Sequence, residues 1–252
     1  MAAVRSALFL LFQFVTVVPW AFGCLALAPF PLHVRYAFTI CWPRMVIWAA
    51  RVLCGIRWEV RGLEHLPDGP AILLSKHQST WETFWLPSYM PRELCYVFKR
   101  ELLWIPFFGW GIGLLQMIHI DRNRGRDAFE SVVRQGRRRL DEGRWIIMFP
   151  EGTRTPVGGQ GKYKSGGARL AVRTGTPVVP IAVNAGECWP KHRFGKTPGV
   201  VTVSIGAPTA TAGRDVEVVN AEVERWIEAE MRRISPQAYR PTPEHALHEA
   251  TS

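Results

Sequence analysis

The chain has 252 residues, of which 48% are hydrophobic, and its 31 Lys and Arg against 21 Asp and Glu give a formal net charge of +10. An apolar fraction of this size supplies a buried core, which excludes a disordered or fibrous chain. Five cysteines, none of them in a C-x-x-C pair, exclude a disulfide scaffold. The basic charge indicates an anionic partner, which could be nucleic acid, a phosphorylated metabolite or an acidic membrane surface.

The first 58 residues show the charge pattern of a membrane-associated segment. They contain five arginines and no lysine or acidic residue, and residues 6–32 carry no charge. This uncharged stretch exceeds the roughly 20 apolar residues that cross a bilayer. Pro19 is expected to interrupt it, which leaves a kinked spanning helix or a helical hairpin that dips into one leaflet. A cleaved signal peptide is an alternative, because residues 26–28 have the small-x-small form of a cleavage site.

A second apolar segment covers residues 36–56. It carries Arg44 and Arg51 seven residues apart, and therefore on one helical face. Together with Trp42 and Trp48, these arginines are typical of a helix that lies in an anionic interface. The alternative is a soluble core helix with snorkelling arginines. We favour membrane attachment of residues 1–55.

The remainder of the chain predicts an α/β domain over residues 56–235. Short β-branched runs alternate with helical patterns, which is typical of a mainly parallel or mixed sheet covered by helices. The polar residues 236–252 are expected to form a flexible tail. The predicted strands are Ala71–Ser75, Cys95–Lys99, Gln116–Ile120, Trp145–Phe149, Val178–Val183 and Val200–Ile205, and the predicted helices are Thr80–Tyr89, Arg126–Glu142, Gly166–Thr174 and Asp215–Ile234.

A histidine and a carboxylate follow the first of these predicted strands. His77 lies just past the strand end, and Glu82 follows five residues later, near the start of a predicted helix. A carboxylate in this position can fix the tautomer of the imidazole and stabilise the imidazolium that forms when His77 takes a proton. The structural alternative is that Ser79 and Glu82 form a helix capping box. Both interpretations can hold at once.

Cationic residues follow three of the predicted strands. Lys99 ends one strand, Arg122 lies just beyond another, and Arg154 follows a third through a turn that contains Gly152. Ligands of open α/β sheets collect at the carboxyl ends of the strands. A tight turn with glycine also exposes backbone N–H groups to an anion. These cations, on the same side as His77, predict an anion site.

Several other chemistries lack the residues that they need. No G-x-S-x-G sequence occurs, which excludes the usual nucleophile elbow of a serine hydrolase, and no His or Cys cluster has the spacing of a metal site. Pro190 stands where a P-loop ending in Lys196 would need glycine. The arginine-rich run 134–139 could bind nucleic acid, but we interpret it as the solvated or membrane-facing side of a helix and expect no nucleic-acid partner.

Four motifs in this order resemble those of the glycerolipid acyltransferases, specifically the bacterial 1-acyl-sn-glycerol-3-phosphate acyltransferases. The H-x4-D motif of that family corresponds to His77–Glu82, with Glu82 in place of the usual Asp. The second motif resembles Gly113–Arg122, and the third, F-P-E-G-T-R, is present in full as Phe149–Arg154. The fourth, an apolar run with proline, fits Val178–Ile181. The resemblance covers about residues 56–205.

The resemblance implies acyl transfer from acyl-CoA or acyl-ACP to the free sn-2 hydroxyl of 1-acyl-sn-glycerol-3-phosphate, which yields phosphatidic acid without a further cofactor. It implies that His77 is the general base and that Glu82 orients it. The side chains expected to bind the acceptor's phosphate are Lys99, Arg122 and Arg154, and the region expected to donate backbone N–H groups to the oxyanion comprises Glu151, Gly152 and Thr153.

Two further expectations concern the setting of this reaction. The resemblance places the chain at the cytoplasmic face of a bacterial inner membrane, with residues 1–55 on anionic lipids.

Lys162 and Lys164, in a glycine-rich loop, are additional candidates for phosphate binding. The alternatives are an acyltransferase for another lysolipid, such as lyso-ornithine lipid, and a non-catalytic protein that binds anionic lipid.

Overall fold

The computed structural model describes residues 2–105, 108–121 and 126–239, with the backbone alone at Phe108 and Arg126. Helices flank a single sheet over these residues. The α-helices are α1 (Ala2–Ala26), α2 (Leu32–Cys54), α3 (Trp81–Tyr89), α4 (Phe108–Leu114), α5 (Arg126–Asp141), α6 (Gly166–Thr174) and α7 (Val216–Ile234).

The described strands form a seven-stranded sheet in the order β1-β7-β6-β2-β5-β3-β4. Neighbouring strands are parallel except for β6 and β7, which are antiparallel. The predicted α/β fold with a mainly parallel or mixed sheet is therefore confirmed. The strands are β1 (Ile56–Arg61), β2 (Ile72–Ser75), β3 (Leu94–Lys99), β4 (Ile118–Ile120), β5 (Trp145–Met148), β6 (Val178–Val183) and β7 (Gly199–Ile205).

Both faces of the sheet are buried, because alternate side chains of each strand point to opposite sides. Leu73 and Ile147 belong to a core that also contains buried residues of α1, α2 and α3. Their neighbours Ile72 and Ile146 belong to a second core, shared with α5, α6 and α7. Burial on two sides explains why these strands read as continuous apolar runs in the sequence.

Two strands differ from the sequence prediction by more than one residue at an end. Strand β1 was not predicted, although its side chains alternate between more and less buried positions as it pairs with β7. Its signal is hard to see because the apolar helix before it runs almost directly into Ile56. Strand β4 begins at Ile118 rather than at Gln116, because Gln116 has a φ of 52°, a left-handed conformation that interrupts an extended strand.

Of the two forms predicted for residues 6–32, the hairpin broken at Pro19 is wrong, because α1 continues through this residue to Ala26. Contacts on either side of the proline support the helix. The Trp42 indole donates to the Thr16 hydroxyl at 3.0 Å, and the Trp20 and Trp42 rings stack with centroids 5.3 Å apart. Packing against α2 therefore compensates for the hydrogen bond that proline cannot make.

Helix α2 combines features of a core helix and of an interfacial helix. Trp42, expected at a membrane interface, is instead buried between α1 and Phe84. Trp48, by contrast, is 58% exposed, and Val52 is exposed beside it. One face of α2 thus belongs to the core of the α/β unit, while the other presents apolar side chains outward.

Candidate active site

The predicted meeting of strand ends occurs at one edge of the sheet. Strand β2 lies between β5 and β6, parallel to both, and β3 lies on the far side of β5, also parallel. The carboxyl ends of these strands therefore share one edge. The segment that follows β2 contacts the segment that follows β5, since the Thr155 amide donates to the His77 carbonyl at 2.8 Å.

His77 and Glu82 form a hydrogen-bonded pair at this edge. The His77 Nδ1 lies 2.9 Å from Glu82 Oε1, and the Glu82 side chain is fully buried while that of His77 is 15% exposed. Since the carboxylate accepts, Nδ1 carries the proton and Nε2 is the nitrogen able to accept one. The geometry is that of a histidine held in a defined tautomer by a carboxylate.

Glu82 also caps the helix, so the two interpretations of this motif hold together. Its Oε1 accepts from the backbone amides of Gln78 at 2.7 Å and Ser79 at 2.6 Å. The Ser79 hydroxyl accepts from the Trp81 amide at 3.0 Å, so both side chains bind backbone amides at the start of α3, although Ser79 binds the amide two residues on and not the third as in a full capping box. The local sequence therefore fixes both the start of α3 and the position of the carboxylate beside His77.

An aromatic ring fixes the face of the imidazole. The His77 and Phe149 rings stack with centroids 4.0 Å apart and planes 16° apart. On the other side, the Phe149 ring stacks with Tyr96, at 6.2 Å between centroids. Burial raises the pKa of Tyr96 well above its ordinary value, and its neutral hydroxyl donates to the Thr83 carbonyl at 2.9 Å. The imidazole is thus held by its edge and by its face.

Glu151 of the F-P-E-G-T-R motif points into the protein. Its Oε2 accepts from the His77 amide at 2.9 Å, and its Oε1 accepts from the ammonium of Lys76 at 2.7 Å. Lys76 is fully buried and also donates to Glu228 of α7 at 2.7 Å. The sequence motifs do not indicate Lys76 or Glu228, because a local pattern cannot predict a pairing between residues so far apart in the chain.

The next two residues of the motif are exposed, and Gly152 forms the turn. Gly152 has a φ of 68°, and its amide donates to the Phe149 carbonyl at 3.0 Å. A side chain at position 152 would meet the Lys164 ammonium at 2.7 Å. Lys164, a weaker candidate from the sequence, therefore lies directly over the turn, and Thr153 is exposed beside it.

Arg154 reaches the start of α3. Its Nη1 donates to the Thr80 hydroxyl at 2.8 Å, which places the guanidinium near the His77–Glu82 pair. Lys191, which the sequence did not indicate, donates to the Arg154 carbonyl at 3.1 Å. The motif residue Arg154 and the lysine from a distant loop form a cationic group at this edge.

Of the remaining predicted cations, the structure describes Lys99. Lys99 ends β3 and is exposed. Its neighbour Arg100 pairs with Asp121, which follows β4, at 2.9 Å. Arg122 lies outside the described residues. Across residues 2–105, 108–121 and 126–239, no group of three or more His, Cys, Asp and Glu side chains could hold a metal ion.

Comparison with known proteins identifies the class to which this fold and site belong. The family model described as Acyltransferase matches residues 57–184, the part of the chain that holds the four motifs. The 1-acyl-sn-glycerol-3-phosphate acyltransferase of Pseudomonas aeruginosa is 45% identical over 93% of each chain. The human 1-acyl-sn-glycerol-3-phosphate acyltransferase alpha is 33% identical over 72% of this chain and 65% of its own length.

A solved structure shares the fold. The crystal structure of the 1-acyl-sn-glycerophosphate acyltransferase PlsC of Thermotoga maritima matches with a TM-score of 0.74 and 24% identity, over 96% of this chain and all of that one. The chain belongs to the acyltransferase family and is an acyltransferase enzyme. The resemblance to the 1-acyl-sn-glycerol-3-phosphate acyltransferases that the sequence motifs indicated is confirmed.

Proposed function

We propose that the chain transfers an acyl group from acyl-CoA or acyl-ACP to the sn-2 hydroxyl of 1-acyl-sn-glycerol-3-phosphate and yields phosphatidic acid. The observation that carries this proposal is the His77–Glu82 pair at the carboxyl edge of the sheet. The acceptor is supported by the names of the relatives, which are 1-acyl-sn-glycerol-3-phosphate acyltransferases over most of the chain. The motif order supports the same reaction.

In the proposed mechanism, His77 acts as general base. Its Nε2 takes the proton of the acceptor hydroxyl while that oxygen attacks the thioester carbonyl. The tetrahedral intermediate then collapses, the carbon–sulfur bond breaks, and the leaving thiolate takes up the proton from the His77 imidazolium, which restores the base. Glu82, hydrogen-bonded to Nδ1, stabilises the imidazolium between these steps. No protein nucleophile is needed, because the acceptor hydroxyl attacks directly.

The phosphate of the acceptor is proposed to bind the cations at the same edge. Arg154 is favoured, because a guanidinium can hold two phosphate oxygens and its contact with Thr80 places it close to His77. Lys99 at the end of β3, with Arg122 beyond β4, completes the proposed set. The exposed Lys164 over Gly152 adds a further positive charge.

The oxyanion of the intermediate is proposed to face the loop Glu151–Thr153. Backbone N–H donors stabilise such charge without reorganising at the moment of reaction. The Gly152 amide donates to the Phe149 carbonyl within the turn. The proposed donor is therefore another backbone amide of the same loop. Backbone N–H groups that are exposed at such a turn attract an anion.

We propose that the N-terminal helices associate the enzyme with a membrane and bind anionic lipid at the cytoplasmic face. Helices α1 and α2 are long and apolar enough to cross a bilayer, and only 11% and 33% of their most apolar windows are buried. Leu11, Phe14 and Val15 of α1 are among the exposed side chains. Water-soluble acyl-CoA or acyl-ACP would reach the site from the cytoplasm, while the lysolipid would come from the bilayer.

An acyl-transfer assay tests the proposal. Purified chain with radiolabelled 1-acyl-sn-glycerol-3-phosphate and either thioester is expected to make phosphatidic acid. His77→Ala should lower the rate by about 10²–10⁴-fold, the usual contribution of a general base, while circular dichroism stays unchanged. His33→Ala, an exposed histidine of α2, serves as the matched control and should keep the wild-type rate.

The same assay discriminates between acceptors. Lyso-ornithine lipid, offered in parallel, lacks the phosphate that Arg154 and Lys99 are proposed to bind and should react poorly. Faster acylation of lyso-ornithine lipid would contradict the proposed acceptor. Equal activity of His77→Ala and wild type would remove the proposed base.

A further inference from the structure

We propose that a buried ion cluster of Lys76, Glu151 and Glu228 positions the main chain of His77, and that it makes helix α7 part of the catalytic apparatus. The inference rests on the proposed function of His77. It goes beyond it by giving a positioning role to Glu151 and to two residues that belong to none of the four motifs. The name ion cluster is used below for these three side chains.

The ion cluster is built around a fully buried lysine. The Lys76 ammonium donates at 2.7 Å to Glu151, at 2.7 Å to Glu228 and at 3.0 Å to the Gly159 carbonyl, so all three of its N–H groups have acceptors. The side chains of Lys76 and Glu151 are fully buried, and that of Glu228 is 4% exposed. Such a charge is tolerated inside a protein only because it is paired, and removing one partner is costly.

Tyr163 adds a fourth polar group to the surroundings. Its hydroxyl donates to the same oxygen of Glu228 at 2.9 Å. Burial raises the pKa of Tyr163, and the neighbouring carboxylates of Glu228 and Glu151 raise it further, so the hydroxyl stays neutral and remains a donor. The Glu228 carboxylate is therefore held by the lysine and by the tyrosine at once.

The ion cluster contacts His77 through Oε2 of Glu151, the carboxylate oxygen that does not bind Lys76. While Oε1 of Glu151 binds the lysine, Oε2 accepts from the His77 backbone amide at 2.9 Å. The His77 carbonyl accepts from the Thr155 amide at 2.8 Å. Both peptide groups of His77 are therefore fixed by the segment after β5. Glu82 and Phe149 fix the orientation of the imidazole ring, whereas the ion cluster fixes the position of the His77 backbone from which the ring extends.

Helix α7 contributes to this arrangement from outside the motifs. Glu228 lies 152 residues beyond Lys76 and beyond the 57–184 range of the family match. The helix packs on β6 and contributes Val223 and Ile227 to the core beneath it. Helix α7 is thereby connected to the His77 backbone by a series of hydrogen bonds that runs from Glu228 to Lys76 and from Lys76 to Glu151.

Three variants test the proposal by their order of activity. Lys76→Met leaves two buried carboxylates facing each other and should lower kcat at least about tenfold, with KM for both substrates changed less than about twofold, because a small displacement of a catalytic group acts on the chemical step. Glu228→Gln keeps the shape of the side chain and an acceptor oxygen, and its kcat should therefore fall less than that of Lys76→Met. The double variant Lys76→Met/Glu228→Gln should recover at least about threefold over Lys76→Met, since it removes the repulsion. Glu224→Gln, one turn before Glu228 on α7, is the matched control and should match wild type, because its side chain is only half-buried and the glutamine keeps an acceptor for Gln160.

Amide hydrogen exchange gives a readout that does not need activity. The peptide containing His77 should exchange faster in Lys76→Met and in Glu228→Gln than in wild type and in Glu224→Gln. If Lys76→Met does not fold, Tyr163→Phe, which removes a single hydroxyl, should show the same changes at smaller size. An inactive wild type would count against the proposed function alone, and the exchange data would still test the ion cluster.

Three results would overturn the proposal. One is wild-type kcat in folded Lys76→Met, even if its melting temperature falls, because that describes a merely structural lysine. Another is unchanged exchange at His77 in both variants. The third is a double variant less active than Lys76→Met, since the two substitutions would then act independently.

Discussion

At the scale of single residues, the carboxylate of Glu82 has two tasks that can be separated by experiment. Its Oε1 receives the His77 imidazole and two backbone amides, whereas Oε2 has no hydrogen-bond partner among the described residues. A glutamine can therefore keep the acceptor oxygen and place its amide nitrogen where nothing is bonded. The charge can be removed while the helix cap stays.

Glu82→Gln is expected to lower kcat by about 10²-fold, because the neutral amide orients the imidazole but no longer stabilises the imidazolium. The melting temperature should fall little, since the capping bonds are retained. Steady-state kinetics and thermal unfolding measure the two effects. The exposed Glu64→Gln is the control. A large loss of stability with unchanged kcat would show that Glu82 serves the helix alone.

Arg154 and its contact with Thr80 allow a second prediction at this scale. Arg154→Ala should raise KM for the lysophosphatidic acceptor by about 10–100-fold, the range of a charge-assisted hydrogen bond, and leave KM for the acyl donor unchanged. Arg154→Lys should restore part of the loss, because it keeps the charge without the planar fork. A rise confined to the donor KM would place Arg154 at the thioester instead.

At the scale of secondary-structure elements, α1 presents the exposed apolar surface that we propose binds lipid. It buries Phe9 in the core shared with the sheet, yet Leu11 is 57% and Phe14 is 74% exposed. Close packing between the two apolar helices is visible at Gly23, where a methyl group would meet the Phe38 ring at 2.6 Å. One side of the helix pair is therefore fixed to the α/β unit, and the other presents exposed apolar side chains.

Replacing Leu11, Phe14 and Val15 by glutamine should weaken binding to anionic vesicles by about tenfold or more for each residue. The reason is that burial of each side chain in the bilayer contributes about 1.5–3 kcal/mol to the free energy of binding. Vesicle flotation measures the partition. Val218→Gln is the matched control, since Val218 is 49% exposed on α7, over the opposite face of the sheet. Equal loss in the control would show that general apolarity, and not the surface of α1, drives binding.

At the scale of the whole molecule, tyrosines with raised pKa values, Tyr96 and Tyr163 among them, make stability depend on alkaline pH. Burial raises the pKa of both Tyr96 and Tyr163 in the folded protein. Above about pH 10, the ordinary pKa of tyrosine, the unfolded chain loses protons that the folded chain keeps. The free energy of unfolding therefore falls as pH rises, while below that pH these groups contribute no slope.

Thermal unfolding between pH 8 and pH 11 checks this prediction, with an expected loss of up to about 1.4 kcal/mol per pH unit for each tyrosine above its unfolded pKa. Phenolate absorbance should appear together with the loss of near-ultraviolet circular dichroism. Tyr163→Phe should show a shallower dependence on pH. The same slope in Tyr163→Phe and wild type would contradict the assignment.

Much of the site was predictable from the sequence because its signals are local. Strands such as Trp145–Met148 are marked by apolar runs, and His77 and Glu82 stand within one turn of a helix start, where capping rules apply. The paired geometry then follows over five residues of chain. The hairpin alternative at Pro19 fails for the opposite reason, since contacts with Trp42 of another helix override the local preference.

By itself, the sequence determined the α/β class, the family, and the pair at the end of β2, because periodicity, strand-end polarity and capping are properties of neighbouring residues. Only the tertiary structure decided what Glu151 does. Its partner is Lys76, 75 residues earlier in the chain, and Lys76 in turn binds Glu228, which lies 152 residues after Lys76. A buried charge must find an opposite charge wherever the fold supplies one, and that choice depends on which elements pack together.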